Sequence, residues 1–131
     1  MNGHERWLKY ADEDLRMAEW AMKDNIFNQV CFHAQQCAEK SLKAILVHRG
    51  ELPPKTHSLM NLIDLVGREG FSALVEGLDF LDQIYLPTRY PDAHPGALPE
   101  GLPNQQQAAQ ALDTARRVFA VVKEKLSTSN G

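Results

Sequence analysis

The chain has 131 residues and a net charge of −3, with 44% apolar and 24% charged residues. That length and composition fit one globular domain able to bury a core, and the acidic balance excludes a general DNA-coating role through broad phosphate neutralisation. No apolar stretch approaches the roughly 18 residues of a membrane span, and the start Met1-Asn2-Gly3-His4-Glu5-Arg6 lacks the apolar core of a signal peptide.

Taken in chain order, Trp7, Ala11, Leu15, Ala18 and Met22 recur at the three-and-four spacing of one helix face. Acidic residues near the start and Lys23 near the end of this first helix suit the macrodipole. Its acidic run Asp12-Glu13-Asp14 reads as a solvated face. Asp24-Asn25 breaks the helix. The second helix carries Phe27, Val30, Cys31, Ala34, Ala38, Leu42 and Ile45 and stops at Gly50, with Pro53 and Pro54 just beyond. Its Ala, Cys and Ser residues stand where a core would usually have bulk, so another backbone can approach closely. Cys31 and Cys37 lie on this one helix, roughly 120° apart around its axis, and cannot bridge each other without unwinding it. Two thiols without a disulfide framework fit a reducing cytoplasm.

Thr56 or Ser58 opens a short third helix with Leu59, Leu62, Ile63 and Val66, closed by Gly67 and Gly70. Phe71, Leu74, Val75, Leu78, Leu81 and Tyr85 form a fourth stripe. Five prolines and two glycines over 86–103 then exclude regular structure. Asn104 caps a last helix with Ala108, Ala111, Leu112, Ala115, Phe119, Val122 and Leu126 on its inner face. The expected fold is all-α. It is an antiparallel four-helix up-and-down bundle with an additional short helix and a long Pro-rich loop before the last helix. One domain covers 1–126, and 127–131 is a disordered tail. Leu15, Ala34, Ala38, Leu42, Leu78, Leu112 and Phe119 are the expected core.

Long loops inside compact domains are usually functional or disordered, and this one holds Arg89 and His94. Imidazole can take or return a proton near neutrality, and guanidinium grips phosphate oxygens bidentately. Together they suffice for attack of an RNA 2′-hydroxyl on its neighbouring phosphorus. The alternative is a surface Arg89 paired with Asp92 and a solvated loop His94. On the second helix, His33, Gln36, Lys40 and Lys43 share a face whose polar tips could meet a ligand's phosphates; equally, Glu39 can pair with Lys43 and Gln36 can be solvated. His33 and Cys37 are half a zinc site with no second pair elsewhere, so no metal and no cofactor is expected. Trp7, Trp20 and Tyr10 could stack on bases, although Trp7 falls on the core stripe. His4, His48 and His57 have no assigned role, and His57 should start the third helix.

The run Phe32-His33-Ala34-Gln35-Gln36-Cys37-Ala38-Glu39-Lys40-Ser41-Leu42-Lys43-Ala44, with Arg89-Tyr90-Pro91-Asp92-Ala93-His94 downstream, resembles the HEPN family (higher eukaryotes and prokaryotes nucleotide-binding). The resemblance covers the chain from about Trp7 to Leu126. It implies a homodimer, binding of nucleotide or RNA, and, as in the ribonuclease members with an Arg-x4–6-His motif, catalytic roles for Arg89 and His94 in metal-independent, toxin-like cleavage. Tyr90 and Asp92 belong to an Arg-Tyr-Pro-Asp variant typical of one branch, and with His33, Lys40 and Lys43 they are the expected nucleotide- or RNA-binding residues. The same resemblance also implies a rival: a non-catalytic interaction subunit partnering a minimal nucleotidyltransferase.

Overall fold

The computed structural model describes residues 2–89 and 103–128. These residues form five α-helices: α1 (Gly3–Lys23), α2 (Phe27–His48), α3 (Leu59–Val66), α4 (Val75–Arg89) and α5 (Gln105–Thr128). A single 3-10 turn, Ser72–Leu74, precedes α4. No strand occurs among the described residues.

The helix ends are chemically explicit. Asn2 caps α1 by accepting from the Glu5 amide at 2.9 Å, several residues before the first apolar position of the stripe. Asn25 takes a positive φ of 60° between α1 and α2, a conformation that asparagine tolerates better than most residues. Ser58 caps α3, and Asp82 reaches over from α4 to accept from the amides of Leu59 and Met60 at 2.8 and 3.0 Å. A carboxylate at a helix N-terminus satisfies orphan donors and opposes the macrodipole. Asn104 and Gln107 exchange reciprocal bonds at the start of α5, at 2.8 and 2.9 Å.

α2 is the central helix and touches each of the other four. Ala34, Cys37, Ala38, Ser41, Leu42 and Ala44 are all fully buried on it, so the small residues do admit close neighbours. Burial pushes both thiols up to about 12, which leaves Cys31 and Cys37 as protonated core residues. The α4–α5 contact is also tight. A Cβ built on Gly77 would clash with the Thr114 side chain, so any larger residue there requires Thr114 to shift.

Four boundary expectations need correction. α4 continues through Leu86 and Pro87 to Arg89 rather than ending before the loop. A proline in the last turn removes one donor and crowds one earlier carbonyl, a loss confined to a helix end. α4 begins at Val75, after a 3-10 turn, rather than at Phe71. α5 includes Ser127 and Thr128, so the tail does not begin at 127; Ser127 Oγ donates to the Glu124 carbonyl at 3.0 Å. His57 lies in the loop before α3, not on the helix. In the core, Ala34, Ala38, Leu42, Leu78, Leu112 and Phe119 are buried, whereas Leu15 is only partly so. The inner face of α1 runs through Ala11, Asp14 and Ala18 instead.

Candidate functional site

Asp14 therefore points inward, contrary to its reading as a solvated acid. Its two carboxylate oxygens are divided between two residues of α2: Oδ1 sits 2.8 Å from His33 Nδ1, and Oδ2 accepts from Lys40 Nζ. Burial alone would raise the Asp14 pKa; the hydrogen bonds from His33 and Lys40 outweigh it and hold the carboxyl below its ordinary value. An ionised carboxylate only accepts hydrogen bonds, so Nδ1 of His33 must carry the proton. In the neutral ring this leaves Nε2 as an acceptor.

A second cluster lies further along α2. Glu39 accepts from Lys43 Nζ at 2.9 Å and meets His57 Nδ1 at 3.2 Å. The fully buried Gln35 donates to the His57 carbonyl at 2.9 Å and accepts from Gln36 at 2.8 Å. The Lys43 ammonium also lies over the Trp7 ring, 5.9 Å from its centroid. Lys43 and Glu39 expose only 7% of their side chains each.

The expected phosphate-facing stripe is thus split. Lys43 is committed to Glu39 inside the fold and does not present its ammonium at the surface, because the preceding turn of α2 supplies a carboxylate in a dry environment. Lys40 is tied to Asp14 but retains 28% side-chain exposure, and His33 retains 19%. Arg89 is the final residue of α4 rather than a loop residue. Tyr90, Asp92 and His94 lie outside the described residues. The sequence reading missed Asp14, Gln35 and His57 as members of these networks. For Asp14 a signal existed: it stands three residues after Ala11 and four before Ala18, on the buried stripe.

Among the described residues no three His, Cys, Asp or Glu side chains gather as a metal site would require. No helix there is long and apolar enough to cross a membrane.

The HEPN domain model matches residues 4–125, which is nearly the whole chain. The chain belongs to the HEPN family. Among solved structures it is similar to TT1696 from Thermus thermophilus, with 36% identity and a TM-score of 0.83, covering 95% of this chain and 99% of that one. It is also similar to ST0689, an archaeal HEPN homologue, with 30% identity and a TM-score of 0.75, covering 95% and 98%. A curated relative, "Putative toxin MJ1304" of Methanocaldococcus jannaschii, is 27% identical over 136 residues, covering 95% of this chain and 89% of that protein. The helical bundle and its central α2 are thus those of a HEPN domain.

Proposed function

We infer that this HEPN protein binds RNA or nucleotide and acts as a toxin-like, metal-independent endoribonuclease. The observation that carries the reading is the HEPN match over 4–125, which contains the Arg89-x4-His94 segment, in a chain related to the protein named "Putative toxin MJ1304". His94 serves as the base that takes the proton of an RNA 2′-hydroxyl. The freed oxygen bonds to the adjacent phosphorus, the bond from phosphorus to the 5′ oxygen breaks, and the proton passes to that departing oxygen. A 2′,3′-cyclic phosphate and a 5′-hydroxyl remain. Arg89 grips the non-bridging oxygens in two parallel bonds as charge builds on them. Its position on the last residue of α4 suits a cation, since the carbonyl end of a helix is negative. Tyr90 and Asp92, on the same segment, are assigned to nucleotide contact. Lys40 and His33, the more accessible members of the α2 stripe, are the stronger candidates for it than Lys43.

The same reading includes a homodimer in a reducing cytoplasm, consistent with two thiols buried and unpaired. The deciding experiment is cleavage of unstructured RNA in EDTA, with DNA of the same sequence as the inert control. His94→Ala should lower the rate by about 10²–10⁴-fold without unfolding the protein, and Arg89→Lys should also be damaging because a point charge lacks the bidentate grip. Equal cleavage by wild type and His94→Ala would reject the site. No cleavage by wild type would favour the interaction-subunit reading, with a minimal nucleotidyltransferase as partner. Sedimentation at tens of micromolar tests the dimer.

A further inference from the structure

A protein with a net charge of −3 gains little from phosphate neutralisation, so if it binds RNA, base contacts must supply much of the affinity. Trp20 is an aromatic residue left largely in solvent, at 69% exposure. It lines both of two grooves beside α1. The first, of about 230 Å³ between α1 and the start of α2, runs from Trp20 past Met17 and Ile26 to Gln29 and His33. The second, of about 460 Å³ between α1 and α5, is flanked by Arg16, Lys23 and Arg116.

The first groove combines an open indole face and apolar walls with defined polar groups. His33 turns Nδ1 to Asp14, so in the neutral ring the acceptor is Nε2. The Gln29 amide offers both a donor and an acceptor. A planar heterocycle stacked on an indole and edge-bonded to an imidazole and an amide is how proteins read an unpaired nucleobase. The charges around both grooves cancel. Arg16 is paired with Asp12, Arg116 with Glu19, and Asp24 on the first groove offsets Lys23 on the second. A site of this kind stacks a base with little dependence on backbone charge.

We propose that Trp20 and His33 form a nucleobase subsite, with the indole as its stacking platform and Asp14-oriented Nε2 as its edge acceptor. The ligand class is an unpaired base of single-stranded RNA, with its phosphate leaving along the α1–α5 groove beside Lys23. This deepens the RNA-binding reading above and rests on it, yet it does not depend on cleavage by Arg89 and His94.

The test uses a labelled 2′-O-methyl RNA hexanucleotide, which lacks the attacking hydroxyl and stays intact whatever the activity. Fluorescence anisotropy reports binding, and sedimentation reports the assembly state of each variant. Trp20→Ala should weaken binding about five- to a hundredfold, the worth of one stacked base. Trp20→Phe should restore most of it, because a smaller ring still stacks. His33→Phe should weaken binding about two- to tenfold, with His33→Gln less affected because its amide can reach the place of Nε2. Affinity should change little between low and moderate salt. Wild-type binding by Trp20→Ala overturns the proposal. So does weaker binding that accompanies loss of self-association, since the indole then belongs to a protein interface. If wild type binds no oligonucleotide, the RNA-binding reading fails and the subsite with it. If wild type binds and Trp20 is irrelevant, only the subsite fails.

Discussion

Asp14 and Glu39 are two interior carboxylates with matching partners, one lysine and one histidine each, in unlike surroundings. Around Glu39, the lysine is buried, Gln35 fills the interior and Trp7 lies over the ammonium, while His57 at 55% side-chain exposure covers the outer edge. Around Asp14, both partners stay partly open and His33 lines a groove. A carboxylate, a lysine and a histidine therefore do different work in the two places. In the closed cluster the buried carboxylate, ammonium and Gln35 amide bond to one another or to the backbone. In the open one the fold engages Nδ1 of the histidine, and the ring keeps partial exposure beside a groove.

The largest test of that contrast is Lys43→Met. It leaves the Glu39 carboxylate without its buried cation, and stability from urea unfolding should fall by about 3–5 kcal/mol. A loss below about 1 kcal/mol would show that Glu39 is not sealed.

Asp14→Asn should cost less, about 2–3 kcal/mol near neutral pH, because Lys40 can turn to solvent. The cost should also depend on pH. Asp14 has a folded-state pKa below its ordinary value, so its contribution is fully present above the unfolded value and is lost as pH falls through the folded one. The stability gap between wild type and Asp14→Asn should therefore close as the pH drops below about 4. A gap that persists unchanged through that range would mean that ionisation of Asp14 contributes nothing.

Replacing both members of the closed pair, as Glu39→Gln with Lys43→Met, should bring stability back to within about 1–2 kcal/mol of wild type, since no unpaired charge remains. A double variant as damaged as Lys43→Met alone would show that packing, not charge, dominates there. The smallest effect belongs to His57→Ala, below about 1 kcal/mol, as expected for a half-exposed partner in a site where Lys43 already neutralises Glu39.

The helices were readable because their signals are local. Apolar spacing marked α1, α2 and α5, Ser58 and Asn104 do cap α3 and α5, and Gly50 and Gly67 do take positive φ at helix ends. What those signals could not show involves a neighbouring element. Asp82 joins Ser58 in capping α3 from a position far along the chain, and the closeness of Gly77 to Thr114 is a property of two helices together. Of the candidate site, the residue types on α2 were legible, but their commitments were not. Spacing alone put Lys40 and Lys43 on one polar face with no means of saying which acid each would meet.

The sequence by itself determined an all-helical chain, the number and order of its main helices, and a second helix built of small residues, because periodicity and capping act within a few residues. It also carried the motif by which the HEPN family is recognised. Only the tertiary structure decided that Asp14 turns inward, that Lys43 is sealed while Lys40 and His33 stay partly open, and that Trp20 faces solvent beside His33. The reason is physical. A carboxylate is buried only where cations from another helix meet it, and whether a side chain keeps a free edge depends on what packs over it.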